Sequence, residues 1–282
     1  MKYENAVGMF LGLAIGDALG APLEFMPSRQ PEDYVTSYIG GGCHEVSAGE
    51  FTDDTSMALA MADAFIIRGH FDPKLIMDNF LKWKNKGEYS PRGYMFDCGL
   101  TIYTALEKYE KDSSNPFCGS ISPHSSGNGG LMRLAPAIII AKSEKIAVDN
   151  AVESTRLTHA SKESLLYSSL LAKELYNCKE LEETKKYKLS KDTIRSKVKS
   201  GGYVKETYQA AWWAFQTTNN FKDCVVAAIN LGNDSDTTGA VAGMIAGAIY
   251  GLESIPSNFI DGLMWNEKII ESSKKLYEIS KN

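Results

Sequence analysis

The chain has 282 residues, 44% of them hydrophobic and 23% charged, the balance of a globular protein with a substantial core rather than of a disordered or fibrous chain. A formal net charge of −5 provides no basic footprint and argues against nucleic acid or an anionic membrane as a partner. The five cysteines, an odd number with no Cys-x-x-Cys pair, suit reduced thiols in the cytoplasm better than a disulfide framework or a zinc site.

Helical periodicity dominates the chain. Apolar residues recur three and four apart over Tyr3 to Leu19, Thr55 to Arg68, Pro73 to Lys84, Leu100 to Lys111, Lys145 to Thr155, Ser161 to Tyr176, Tyr203 to Gln216, Phe221 to Leu231, Thr237 to Tyr250 and Glu267 to Ile279. This predicts ten helices and an all-α fold. Gly69, Gly232 and Gly251 each stand just past a periodic run, where a left-handed residue ends a helix. The apolar opening resembles a leader, but Glu4 and Asp17 bracket it and its Ala/Gly content suits tight packing, so it reads as part of the fold.

Two helices carry a glycine every fourth residue: Gly8, Gly12, Gly16 and Gly20 in the first, and Gly239, Gly243, Gly247 and Gly251 in the ninth. Each glycine inside a helix costs roughly 0.8–1 kcal/mol relative to alanine, so the stripes imply compensation by close backbone packing. The ninth helix, with about 14 apolar or small residues, is shorter than the ~20 a bilayer requires. Both helices are expected at the centre of a soluble bundle. The segment "KELEETKKYKLSKDTIRSKVKS", 179 to 200, is charge-rich and reads as a solvated excursion within a single domain spanning 1–282.

Two acidic corners stand out. In "FTDDT", 51 to 55, the side chains of Thr52, Asp53, Asp54 and Thr55 crowd a helix start, and in "NDSDTT" Asp234, Asp236, Thr237 and Thr238 do the same. One oxygen suffices for a cap. Thr55 and Thr238, which open the periodic runs, are assigned that job. Four carboxylates at the ends of two buried helices would repel unless a cation neutralised them. The donors are all hard oxygens, which favours Mg2+ or Mn2+, tolerates Ca2+ and disfavours Zn2+. Four carboxylates suggest two ions, an arrangement that can polarise a substrate oxygen and hold a nucleophilic water.

The blocks "GLAIGDALGAPLEF" (12 to 25), "FTDDT", "FDCGLT" (96 to 101), "GNGGLMRLAP" (127 to 136), "THAS" (158 to 161) and "LGNDSDTTGAVAGMIAGAIYG" (231 to 251) together resemble the ADP-ribosylglycohydrolase family, in family order. That family includes dinitrogenase reductase-activating glycohydrolase and the mammalian ADP-ribosylhydrolases. The resemblance implies an all-α fold, a binuclear Mg2+ or Mn2+ centre and removal of ADP-ribose from modified side chains. It implies metal ligands at Thr52, Asp53 and Asp54 on one side and at Asp234, Asp236 and Thr237 on the other. Catalytic work would fall to Glu24, Asp97 or both, whereas the sequence alone also allows Glu24 as a surface acid and Asp97 as a helix cap. Asp17 reads as a helix or supporting partner.

For the substrate, the resemblance places the distal ribose and phosphates at Gly127, Asn128, Gly129, Gly130 and Leu131. Gly130 departs from the commoner family form, which has serine after "NG". Arg133 could brace this loop. His159 is a candidate substrate contact, and Tyr203, after two glycines, is a candidate to stack on adenine, with core packing an equal alternative. Trp212 and Trp213 are expected in the core.

The implied reaction is hydrolysis of the bond between C1 of the distal ribose and a protein side chain, with arginine the favoured acceptor. Serine, nucleic-acid or small-molecule ADP-ribose conjugates are alternatives. Another two-metal hydrolase and a non-catalytic ADP-ribose binder are the rival readings. An ADP-ribosylated protein is the expected partner, and the expected state is a cytoplasmic monomer.

Overall fold

Glycine stripes decide the centre of the molecule. In the computed structural model, which describes residues 1–282, the first helix, α1 (Tyr3–Gly20), lies antiparallel against α10 (Ser235–Tyr250) along both stripes. A Cβ added at Gly8, Gly12 or Gly16 would stand 2.5, 2.1 or 1.9 Å from the carbonyl oxygen of Gly247, Gly243 or Gly239. The two backbones therefore touch, and no side chain fits between them. At the end of the stripe the Cβ of a residue at 20 would meet Ser235 and Asp236, and the Ser235 hydroxyl donates to the Gly20 carbonyl at 2.9 Å. This register sets the C-terminus of α1 beside the first turn of α10.

Around this pair the other helices follow one another: α2 (Asp53–Arg68) between α12 (Asn266–Lys281) and α5 (Ala135–Ile139), then α6 (Glu144–Arg156), α7 (Lys162–Tyr176), α8 (Val204–Gln216) and α9 (Phe221–Ile229). Outside α2 lie α3 (Pro73–Lys86) and α4 (Leu100–Lys111), and a short α11 (Ser257–Gly262) precedes α12. No strand is present, only three isolated bridges: Gly41 with Val46, Ser120 with His159, and Gly127 with Tyr203. The fold is all-α, as the periodicity predicts. Trp212 and Trp213 are buried, and one core cluster runs from α1 to α12.

The ten predicted helices are all present, with ends shifted by a few residues. The sequence reading missed α5 and α11. The first is five residues of unbroken apolar character with Pro136 in its opening turn, and the second is six residues long, so neither shows a helical period. α1 is long and apolar enough to cross a membrane, yet its apolar window is wholly buried inside the protein.

The charged excursion is not simply a solvated face. Lys188 turns inward, its ammonium 2.6 Å from the buried Glu174 carboxylate and 3.5 Å above the Trp212 ring. The Thr184 and Tyr208 hydroxyls also donate to Glu174. A buried charge needs such partners, and they pin the excursion to α7 and α8.

Gly16→Ala should force the central backbones apart and cost about 1–3 kcal/mol or more, as overpacking does. Gly99→Ala, which would meet nothing within 4 Å, should be close to neutral. Urea denaturation midpoints measured side by side test the difference.

Candidate metal centre and active site

The end of α1 supplies the first element of the site. Asp17, fully buried, accepts hydrogen bonds from the Thr52 N–H (2.9 Å) and hydroxyl (2.9 Å) and from the Thr55 N–H (3.0 Å) and hydroxyl (2.6 Å). It thus caps α2 from another helix. Thr55, expected to cap its own helix, instead donates to Asp17, and the Thr238 hydroxyl is buried with no partner, so neither threonine is a cap. With Asp17 doing that work, Asp53 and Asp54 are free for something else.

The two acidic corners converge. Asp17, Asp54 and Asp236 bring carboxylate oxygens within 4.8 Å of one another, as do Glu24, Asp97 and Asp236. The Thr52 hydroxyl reaches both Asp54 and Asp236 at 3.3 Å, the latter 184 residues away in the chain. One carboxylate oxygen each of Asp54 and Asp236 is buried with no hydrogen-bond partner. Burial, then the neighbouring carboxylates, raises the pKa values of Asp53, Asp54 and Asp236 well above the ordinary range. Asp234 is also raised by burial, although Asn128 donates to it at 2.8 Å. These acids, with hard oxygens turned toward one another, form a site that can hold divalent cations.

Above them lies a cleft of about 340 Å³. Asp53, Asp234, Asp236 and Thr237 line its floor, while Thr52 and Asp54 sit beneath it. Glu24 follows a short turn over Ala21–Leu23 and is 6% exposed, so it is no ordinary surface acid. Its segment is fixed to the α10 corner by Phe25 N–H donating to the Asn233 carbonyl (2.6 Å) and Asn233 N–H to that of Met26 (2.9 Å). Asp97 lines the same cleft from a backbone in the left-handed region, φ 50°; it caps nothing, since α4 begins at Leu100 with no side-chain cap.

Between Glu24 and Asp97 stands His44, which the sequence reading missed. Its Nε2 is 2.7 Å from Glu24 and 3.3 Å from Asp97. The hydrogen bond to Asp97 is the main cause that raises the His44 pKa, to about 9, while burial and the charges of Asp97 and Asp234 push Glu24 up to about 8. Both shifts keep a proton inside this triangle at neutral pH. The loop is held by Gly42, whose left-handed backbone packs on Pro22, and by Arg92, which grips Glu50 at 2.8 and 3.0 Å and stacks on Phe96. No spacing rule links residue 44 to the acidic blocks.

The opposite wall is the Gly127–Gly129 loop. Its bridge to Tyr203 and the Asn128 side chain, which donates to Asp234 and Thr207, tie it to α8 and α10. A Cβ at Gly129 would stand 2.7 Å from His159 and 2.8 Å from Ile102, so only glycine leaves the wall intact. Gly130 and Leu131, predicted to touch substrate, do not line the cleft. Leu131 is in the core, and a Cβ at Gly130 would lie 2.4 Å from Thr155, which explains why serine is absent there. Tyr203 is likewise displaced from its expected place. Its ring lies outside the cleft lining, and its hydroxyl donates to Glu163 at 2.7 Å.

His159 reaches the cleft with a defined proton. Arg133, fully buried, donates from Nη2 to the Thr158 hydroxyl at 2.7 Å, and that hydroxyl is 2.9 Å from His159 Nδ1. The hydroxyl has no other partner, and a guanidinium can only donate. The Thr158 proton therefore goes to Nδ1, which leaves the His159 proton on Nε2, at the wall beside Gly127. Burial first, and the Arg133 charge second, lower the His159 pKa to about 3. His159 is thus a neutral hydrogen-bond donor facing the cleft. Burial also lowers Arg133, to about 9, opposed by the charge of Asp53, so it remains a fixed cation behind the acidic floor.

Two outcomes follow. Nitrogen NMR should show His159 neutral and protonated at Nε2 across pH 5 to 8, with Thr158→Val mixing the tautomers. A carboxyl whose pKa is raised on folding adds stability below its ordinary value near 4 and loses that contribution as pH climbs through the raised one. With Asp17 pushed up to about 6, mainly by burial, and Glu24 to about 8, the metal-free protein should lose thermal stability between about pH 4 and 8. Magnesium should flatten that slope, and melting curves in chelator and in Mg2+ measure it.

Comparison with known proteins identifies the family. The family description ADP-ribosylglycohydrolase matches residues 1–282. An ADP-ribosylarginine hydrolase of Pseudomonas putida is 34% identical over 98% of this chain and 78% of the relative. An ADP-ribosyl-dinitrogen reductase glycohydrolase of Rhodospirillum rubrum is 31% identical over 93% of this chain and 90% of its own length. A solved structure described as an ADP-ribosylglycohydrolase-related protein complex superposes with a TM-score of 0.84 at 34% identity, covering 99% of this chain and 98% of that one. The chain belongs to the ADP-ribosylglycohydrolase family.

Proposed function

We propose that the protein is a divalent-metal-dependent hydrolase that removes ADP-ribose from arginine side chains of modified proteins. The observation that carries this is the buried meeting of Asp54 and Asp236, each with an unpartnered oxygen, under a cleft walled by the Gly127–Gly129 loop. Those orphaned oxygens and raised carboxyls fit a pair of Mg2+ or Mn2+ ions. Thr52, Asp53 and Asp54 would hold them from one side, and Asp234, Asp236 and Thr237 from the other. When bound, the ions neutralise the carboxylates and supply Lewis-acid stabilisation of charge on substrate oxygens.

The chain's own groups do the rest. The N–H groups of Gly127 and Gly129 make no bond within the protein and are free to receive ribose or phosphate oxygens. His159 donates from Nε2 to the same part of the substrate. Water attacks C1 of the distal ribose as the bond to the acceptor nitrogen breaks. One of the two carboxylates, Glu24 or Asp97, takes the water proton, and His44 holds both in place. The leaving guanidine recovers a proton. Positive charge developing at C1 is stabilised by the surrounding carboxylates.

Charge favours arginine as the acceptor. The mouth presents Glu24 and Asp97 to an incoming guanidinium, and Phe25 and Leu100, 72% and 79% exposed, offer an apolar lip for a protein surface. The relatives named for arginine and for dinitrogen reductase support the same choice.

A panel of defined ADP-ribosyl linkages, assayed with Mg2+, Mn2+ or chelator, should show the arginine linkage cleaved fastest and only with metal. Asp54→Ala and Asp236→Ala should abolish turnover and weaken metal binding in calorimetry. Faster cleavage of a serine linkage would overturn the acceptor assignment, and full activity of either variant would overturn the metal site. Glu24→Gln and Asp97→Asn assign the base, the larger fall in kcat marking it.

A further inference from the structure

The loop over the cleft carries a second set of donors, different in kind from the carboxylate floor. Cys43 Sγ, a ring nitrogen of His44 and a Glu24 oxygen all lie within 4.8 Å of one another. The Cys43 sulfur is 3.8 Å and the His44 nitrogen 2.7 Å from the same Glu24 oxygen. Cys43 is exposed at the loop tip, while the base of the loop is fixed by the Gly41–Val46 bridge and the Arg92–Glu50 pair.

We propose that Cys43, His44 and Glu24 form a binding site for Zn2+ or a similar thiophilic divalent ion, and that its occupation inhibits the enzyme by engaging Glu24. One thiolate, one imidazole and one carboxylate with a fourth position open to water is a set zinc accepts and magnesium does not. Ligands of a tetrahedral zinc stand about 3.3–3.8 Å apart, given metal–ligand distances of about 2.0–2.3 Å. The sulfur already stands at that spacing from the Glu24 oxygen. The His44–Glu24 hydrogen bond must open by less than about 1 Å, the ion replacing the proton between them. The Cys43 thiol proton and the His44 Nε2 proton pass to solvent, and no other bond changes. Asp97, 3.3 Å from the same nitrogen, loses its His44 contact.

Cobalt distinguishes this site from the oxygen-only floor, since only a thiolate ligand yields a sulfur-to-metal charge-transfer band. Titration of the full chain with Co2+ in excess Mg2+ should develop that band, and zinc should bleach it. Cys43→Ser should remove the band and weaken Zn2+ binding by at least the about 10–100-fold that loss of even an outer-shell partner costs. The inhibition rests on the reading of the cleft as an ADP-ribosyl hydrolase site; the binding does not. Zn2+ should therefore suppress hydrolysis at saturating Mg2+ in the wild type and spare Cys43→Ser, which keeps its activity in zinc-free buffer. A missing band, or one unchanged in Cys43→Ser, would place the ion elsewhere and overturn the proposal. A cysteine-dependent band in a protein that hydrolyses no ADP-ribosyl linkage would instead overturn the function and leave the metal site standing.

Discussion

Backbone contact between α1 and α10 is the constraint from which the site follows. Side chains between two helices let them slide or tilt by small repacking, but glycine against carbonyl oxygen at 1.9–2.5 Å of notional Cβ clearance fixes both distance and register. Register matters because the working residues sit at the ends of the stripes. Asp17 precedes the last stripe glycine of α1, Glu24 follows it by one short turn, and Asp236 opens α10 alongside Gly20. A slip of one helical turn, about 5.4 Å, would part Asp236 from Thr52 and Asp54. Propensity lost at the seven stripe glycines within α1 and α10 is thus offset by packing that also positions the chemistry.

That packing concentrates negative charge where water cannot screen it. Asp53, Asp54, Asp234 and Asp236 all have pKa values raised by burial, with the neighbouring carboxylates adding to it. Two built-in cations relieve part of the repulsion, Arg133 from behind the floor and His44 from above it. Their roles differ. Arg133 is held among Thr158, Ser154 and the Phe80 ring, whereas His44 stands on a loop, flanked by the Phe25 and Phe96 rings and paired with the carboxylates it neutralises. The interior therefore fixes the tautomer of His159, while the exterior leaves Glu24 open to exchange one counter-charge for another.

Sequence reading recovered what is local or periodic. The glycine stripes, the helices and the crowding of acids at two helix starts are each visible within a short window, and like-charge repulsion was enough to argue for a shared cation. What the window could not show is which residue caps α2, because the carboxylate that does so lies 35 and 38 residues away on α1. The same limit hid His44: its loop has no period, and its meaning arises only when Gly42 packs on Pro22. The family resemblance points to Gly130 and Leu131, and the two preceding glycines to Tyr203, as parts of the substrate wall. In three dimensions the chain turns away after Gly129, giving Met132 rather than Leu131 to the cleft.

The contrast between floor and loop shows how donor chemistry divides one small cleft. The floor offers only oxygens, buried and mutually repelling, and so selects ions by charge and hardness. The loop adds sulfur and nitrogen beside Glu24, which belongs to both sets. A carboxylate shared in this way couples them: whatever engages Glu24 from the loop side acts on a group that also faces Asp97 and Asp236, while Asp54 lies out of its reach beneath the floor. Because Cys43 is exposed and the floor is not, the loop meets its surroundings directly while the acidic floor is held inside the helical frame.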